Sequence, residues 1–332
     1  MRWGLTYPLQ GISLADHGDI LREAEDLGYT DAWSAEVDAN DALTPLAAFS
    51  AWTTTTRLGC AIAGIYNRTP TLLAQSAAAI EEMAPGRLDL GIGTSSPAIV
   101  ERWNGVKLEE PLKRTRETIA FLKQAWSGEK TSMQVGPYDV RGFRLGRAPS
   151  PPPKLHLAAL RENMLKLAGR ECDGAITNYI SPDDAPGISK IVRDAASGAG
   201  KDPNSVDLAC RIFVIWTEDR QAAEMIARFI VSAYLTTPYY YAFHEWLGRG
   251  EMLAPMKAAW DEGDRPRALG LVPSQIVEDV FVFGSPSDCR DKIKDYVAKG
   301  ITIPIINIIP TARDQETQAA QSMEAFRALA PR

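Results

Sequence analysis

The chain is poor in the residues that usually bind metals or cross-link a fold. Its 332 residues include only three histidines, His17, His156 and His244, and four cysteines, Cys60, Cys172, Cys210 and Cys289. They do not cluster and no CxxC pair occurs. No metal site and no disulfide framework is therefore expected, and the thiols fit a reduced, cytoplasmic setting. No run approaches the roughly 18 apolar residues of a membrane span, and no signal peptide is read ahead of the first strand. Positive charge is not in excess either. A formal net charge of -6 argues against nucleic acid and against an anionic membrane surface as partners. What remains is a chain with 45% hydrophobic and 23% charged residues, enough for a large core. Its length suits one α/β barrel with insertions, acting on a small-molecule substrate.

Strand-like and helix-like segments alternate along the chain. Apolar stretches suited to buried strands lie at Arg2–Tyr7, Thr30–Ser34, Arg57–Ala63, Leu88–Ile92, Lys154–Ala158, Gly174–Thr177, Val206–Trp216 and Ile303–Ile308. Between them, helical periodicity marks His17–Gly28, Thr44–Thr54, Pro70–Met83, Leu112–Trp126, Asn163–Arg170 and Arg313–Leu329. Thr69 and Pro70 read as an N-cap and a first-turn proline, and Gly28 as a helix stop. The pattern predicts a (β/α)8 TIM barrel. An open doubly wound sheet is disfavoured, because Pro8–Gly11 after the first strand is not a GxGxxG phosphate loop. Two stretches exceed a minimal barrel: 132–153 before strand five, and 217–283 between strands seven and eight. Both are expected to be insertions within a single domain, 1–332.

The most informative stretch is GRLDLGIGTSSPAIVERWNG, from Gly86 to Gly105. A buried strand ends among glycines, and three hydroxyl residues, Thr94, Ser95 and Ser96, follow it. Glycines there admit a ligand to the backbone, and hydroxyls and amides supply donors. Taken alone, the stretch is equally a tight strand-to-loop turn.

With GYTDAWSAEV (Gly28–Val37), RLGCAIAGIYNRTPTLLAQ (Arg57–Gln75), HLAALRENMLKLAGRECDGAITN (His156–Asn178) and FGSPSDCRDKI (Phe283–Ile293), the chain resembles the bacterial luciferase-like monooxygenase superfamily. The resemblance is strongest to its deazaflavin-dependent branch, which includes methylenetetrahydromethanopterin reductase. It spans nearly the whole chain and rests on the order and spacing of the motifs. It implies a redox enzyme using coenzyme F420, or alternatively FMN, at the C-terminal end of the barrel. It also implies a homodimer or homotetramer, with a partner flavin reductase in the FMN case only.

The resemblance further implies roles for particular positions. Glu36 would be the catalytic carboxylate beside the reacting ring, although Val37 stands where relatives often have histidine. Gly64 and Ile65 would back the ring, through a bulge with a cis Gly64–Ile65 bond. Arg68 would pack against the following helix. Thr94, Ser95 and Ser96 would approach the ribityl chain. Ala158, Ala159, Leu160 and Arg161 would bind the cofactor phosphate through backbone amides at a helix start, where the dipole favours an anion. Gly174, Ile176, Thr177 and Asn178 would face the cofactor. Arg141, Arg144 and Arg147 form an acid-free basic patch in sequence, either a solvated loop or a receptor for an anionic cofactor tail. Trp33, Trp103, Tyr66 and Tyr179 are either core aromatics or a lining on the substrate side. The rival functions are an FMN-dependent monooxygenase, a cofactor-free binding barrel, and a hydrolase using Glu36 with Asp38.

Overall fold

The apolar runs form eight parallel strands that close on themselves. In the computed structural model, which describes residues 1–331, they are β1 (Gly4–Thr6), β2 (Asp31–Ser34), β3 (Arg57–Cys60), β4 (Leu88–Gly93), β5 (Lys154–Ala158), β6 (Gly174–Asn178), β7 (Asp207–Trp216) and β8 (Ile303–Pro310). Each pairs with its neighbour in chain order, and β8 returns to β1 through Gly4↔Ile305 and Leu5↔Ile306. The architecture is the (β/α)8 TIM barrel that the alternating pattern predicts.

Helices α1 (His17–Leu27), α2 (Thr44–Trp52), α3 (Pro70–Met83), α4 (Pro111–Trp126), α5 (Glu162–Glu171) and α6 (Ala185–Gly198) surround the first seven strands. Local chemistry sets their ends. Thr69 accepts from the Leu72 N–H at 3.2 Å ahead of Pro70, and Gly28 stops α1 at φ 91°. The sequence reading contains no helix at α6, whose segment carries Pro186, Gly187 and Gly198. Packing holds it: Ile188, Val192 and Ala196 are buried, and a Cβ at Gly169 of α5 would stand 2.2 Å from the Val192 carbonyl. Five helices follow β7: α7 (Arg220–Tyr234), α8 (Pro238–Trp246), α9 (Gly250–Asp261), α10 (Arg265–Gly270) and α11 (Ser274–Val280). A short strand, Phe281–Val282, then pairs with Phe213–Val214, before α12 (Pro286–Ala298), which lies outside the sequence expectations, and α13 (Gln315–Ala328). The other excursion is an antiparallel hairpin, Thr131–Val135 with Tyr138–Phe143, on the side of α4.

Strand alternation sorts the barrel interior into layers. At the N-terminal end an ion cluster seals it: Arg2 contacts Asp31, Asp89 and Asp207, and Arg57 contacts Asp89. Burial alone would raise the Asp89 pKa, but His156, Arg2 and Arg57 bring it down to about 2. Above this layer Trp33 fills the middle, edge-on to His156. Glycines make room for it, since a Cβ would lie 2.9 Å from its ring at Gly4 and 2.4 Å at Gly59. Trp33 is therefore a core residue beneath the mouth and no part of its lining. Among the described residues no helix is long and apolar enough to cross a membrane.

Candidate functional site at the barrel mouth

In a barrel of this kind the ligand-facing groups come from the C-terminal strand ends. The same alternation that points Gly4, Trp33, Gly59, His156, Ile176, Ala209 and Ile305 inward brings a next layer to the mouth: Thr6, Ala61, Gly93, Ala158, Asn178, Arg211 and Asn307. This layer has two unlike halves.

The β3–β5 half is nearly bare of side chains. Strand β3 pairs Gly59 with Asp89, breaks, and resumes with Ala63 opposite Ile92, four residues on against three. That one-residue bulge is accommodated because Gly91 lies under it: a Cβ there would be 2.0 Å from the Cys60 carbonyl oxygen. Strand three does carry a bulge, but it falls at residues 60–62 and not at the expected Ala63–Ile65, and two details are corrected with it. The cis peptide is Ala61–Ile62 and not Gly64–Ile65. Ile65 is buried in the core outside the barrel, whereas Ile62 is half-buried and packs with the interior group of Trp33, Ala61 and Ile176. The wall residue at this point is Ile62, because the extra residue shifts the inward position before Gly64 is reached. A Cβ on Gly93 would meet Ala158 Cβ at 2.8 Å and Ile62 at 3.1 Å. Ala61, Gly93 and Ala158 thus present a flat surface of backbone and methyl groups.

Glu36, two residues beyond β2, is engaged on both oxygens. Arg68 Nη1 lies 2.7 Å from Oε1 and Nη2 bonds Oε2, with 13% of each side chain exposed. The Ala42 N–H donates to Oε2 at 3.0 Å and the Gly64 N–H to Oε1 at 3.3 Å. Burial lowers the Arg68 pKa, but the bond to Glu36 and the charges of Glu36 and Asp41 outweigh it, so the guanidinium is raised overall. The expected packing of Arg68 on the next helix gives way to this pair. Gly64 serves the same cluster: a Cβ there would sit 3.2 Å from Asn67 Nδ2 and 3.4 Å from Glu36 Oε1. Asp38 is exposed.

Thr94, Ser95 and Ser96 lie half-buried just past β4, with Ser95 in the left-handed region at φ 61°. Ser96 caps the next turn, its Oγ accepting from the Ile99 N–H at 3.4 Å. On the β5–α5 loop the Ala159 N–H already donates to the Ile176 carbonyl at 2.9 Å. It is therefore not a free phosphate donor, because it extends the β5–β6 ladder by one bond. Leu160 is half-buried and Arg161 exposed at the N-cap of α5, which no side chain caps.

The residues expected on β6 divide. Asn178 points into the mouth, its amide 2.9 Å from the Tyr240 hydroxyl. Gly174 lies at the opposite, N-terminal end, where a Cβ would fall 2.2 Å from His156 Cδ2, so it is a packing glycine and not a cofactor contact. Thr177 alternates with Ile176 and Asn178, which turns it to the outer, helix-facing side; its buried Oγ1 has no partner. Nor do the arginines of the hairpin form an acid-free patch. Arg141 pairs with Asp139, Arg147 reaches Glu82 at the end of α3, and Arg144 bonds the Gly128 carbonyl. They lie on the outside, toward the end away from the mouth.

The β6–β7–β8–β1 half is polar, and sequence reasoning missed most of it. Arg211 donates from Nη2 to Asn307 Oδ1 at 3.1 Å, its Cζ 5.2 Å from the Phe213 ring centroid, while its Nε is buried without a partner. Thr6 Oγ1 is also buried and unpartnered. The available signal was an arginine inside the otherwise apolar run DLACRIFVIW. Above this half stands an aromatic wall. Tyr179 stacks on Phe213 at 4.4 Å, and Tyr240 of α8 meets it edge-on at 5.4 Å. Tyr66 is buried opposite, donating to the Glu109 carbonyl. Trp103 is exposed.

The bare wall fits one face of a planar heteroaromatic ring, and the polar arc with its orphaned donors stands across the mouth from it. Among the described residues no group of three His, Cys, Asp or Glu side chains is placed to hold a metal.

The family model for luciferase-like monooxygenases matches residues 3–302. A Mycobacterium tuberculosis protein provisionally named a coenzyme F420-dependent oxidoreductase is 27% identical over 325 residues, covering 92% of each chain. The structure of the coenzyme F420 dependent tetrahydromethanopterin reductase from Methanopyrus kandleri superimposes with a TM-score of 0.75 at 20% identity, covering 99% of this chain and 97% of that one. The FMN-bound oxygenating constituent of 3,6-diketocamphane monooxygenase from Pseudomonas putida follows the same fold, with a TM-score of 0.68 at 17% identity, covering 100% and 97%.

Proposed function

This chain belongs to the luciferase-like monooxygenase family, and we propose that it is a coenzyme F420-dependent oxidoreductase acting on a small organic substrate. The observation that carries the proposal is the bare β3–β5 half of the mouth, whose inward positions Ala61, Gly93 and Ala158 bear nothing larger than a methyl group. The relative provisionally named as F420-dependent, similar over 92% of the chain, supports the deazaflavin over FMN.

When bound, the deazaflavin supplies a hydride acceptor or donor at a single ring carbon. The chain's own residues position and shield. Ile62 and the Ala61, Gly93 and Ala158 surface back one ring face. Thr94, Ser95 and Ser96 supply donors beside β4, and the uncapped start of α5 at Leu160 and Arg161 offers free amides to a phosphate. Asn178 and Tyr240 close the opposite side. The wall of Tyr179, Phe213 and Tyr240 excludes water, and a dry, fixed geometry is what hydride transfer between two carbons requires. With both oxygens held by Arg68, Glu36 acts as a positioning residue that fixes the loop after β3.

The test is equilibrium titration of the purified protein with F420 and with FMN, read by absorbance and fluorescence. Tighter binding of F420, with turnover indifferent to oxygen, is expected. Tighter FMN binding with oxygen-dependent turnover assigns the chain to the flavin monooxygenases instead.

A further inference from the structure

Several arginines inside or beneath the barrel are neutralised by carboxylates. Arg2 has Asp31, Asp89 and Asp207; Arg57 has Asp89; Arg68 has Glu36; and Arg249, under the helical insertion, has Asp184 and Asp279. Arg211, on the inward face of β7, is not neutralised in this way. Among the described residues no carboxylate lies within 4.0 Å of it, although it is half-buried in the mouth of an acidic protein. Its one polar partner is neutral: the Asn307 amide oxygen orients Nη2 without cancelling the charge. Phe213 covers one face of the guanidinium, and Nε is buried with nothing to donate to. The residue directly opposite in the β6–β7 ladder is Asn178, again a neutral amide, held by Tyr240.

A fixed guanidinium with unspent donors, flanked by amides and backed by an aromatic ring, matches a planar oxyanion, because the fork of N–H groups meets two coplanar oxygens. One cation among neutral amides suits a monoanion better than a phosphate dianion, which draws several cationic groups. We propose that Arg211, oriented by Asn307 and adjoining Asn178, binds the carboxylate of the substrate, so that the protein acts on carboxylate-bearing molecules. The proposal rests on reading the mouth as the active site. An anionic edge of the bound ring offers similar chemistry, and the experiment separates the two sources.

Benzoate and its neutral isostere benzamide are titrated calorimetrically into the cofactor-free and the F420-loaded protein. F420 affinity is measured in parallel by fluorescence, for wild type, Arg211→Gln and Arg211→Lys. Wild type is expected to bind benzoate at least about tenfold more tightly than benzamide, as one charge-assisted pair provides. Arg211→Gln is expected to abolish that preference, Arg211→Lys to retain part of it, and F420 affinity to stay within about threefold in both. The lysine variant carries the test if the glutamine variant does not fold. Equal binding of benzoate and benzamide by wild type, or a preference that survives in Arg211→Gln, overturns the proposal. A tenfold or greater loss of F420 affinity in Arg211→Gln also overturns it, by assigning the arginine to the ring. If neither F420 nor FMN binds while an Arg211-dependent preference for benzoate persists, the cofactor reading fails and the anion site stands.

Discussion

Glu36 and Arg68 form a two-point ion pair at the lip of the barrel, with Nη1 2.7 Å from Oε1 and Nη2 on Oε2. The pair decides what the carboxylate does. An acid clamped on both oxygens and also receiving the Ala42 and Gly64 amides holds a loop in place, and it is poorly placed to exchange protons. Glu36→Gln is therefore expected to cost about 1–3 kcal/mol of stability, by leaving a part-buried guanidinium half-paired. The shape of the pH profile of kcat should not change. Urea unfolding and a pH–rate series check this. A fall of about 10²–10⁴ in kcat with loss of one limb of the profile would instead make Glu36 a general acid or base.

Gly174 gives a test of placement. Gly174→Ala sets a methyl 2.2 Å from His156 Cδ2 inside the closed end of the barrel. The variant is expected to lose about 1–3 kcal/mol through overpacking, while its F420 dissociation constant changes by less than about threefold. Thermal melts and a cofactor titration on the same preparation separate the two effects. Weakened cofactor binding at unchanged melting temperature would return Gly174 to the cofactor site.

His244 makes the stability of the insertion depend on pH. It is fully buried and neither ring nitrogen has a partner. Burial first, and Arg249 second, lower its pKa to about 3, with Asp184 opposing. The folded-state pKa thus lies below the unfolded one, so at acid pH the unfolded chain binds a proton that the folded chain refuses. Stability from this group is complete above about pH 6.5 and falls by roughly 1.4 kcal/mol per pH unit toward pH 3. Between pH 7 and 4.5 wild type is expected to lose about 2–3 kcal/mol more than His244→Phe, which fills the site and does not titrate. Parallel urea titrations at the two pH values measure it, and equal losses would contradict the burial argument.

Local chemistry made much of the fold legible in the sequence. The run Pro70–Met83 is a helix with those bounds because Thr69 and Pro70 start it, and Lys154–Ala158 is a strand with those bounds. The segment Ala185–Gly198 escaped because proline and glycine sit in its first turn and a tertiary contact with Gly169 holds it. Ile62 was displaced by three positions from the expected Ile65, because the bulge is set by Gly91 on the neighbouring strand and not by residues of strand three. Gly174 and Thr177 looked like ligand contacts within DGAITN, yet strand direction and alternation send one to the sealed end and the other outward. Arg211 was hidden by its neighbours: a strand of apolar residues reads as core until the ladder shows that its inward face reaches the mouth.

Titration of wild type and Ala158→Leu with F420 tests whether a deazaflavin lies against the Ala61–Gly93–Ala158 surface. Ala158 is only half-buried, so a leucine there projects into the mouth without crowding the core. Wild type is expected to bind F420 saturably. The variant is expected to bind it at least about tenfold more weakly, the equivalent of about 1.4 kcal/mol, with the melting temperature nearly unchanged. Wild type that does not bind F420, or a variant that binds it as tightly as wild type, would contradict the placement of the ring.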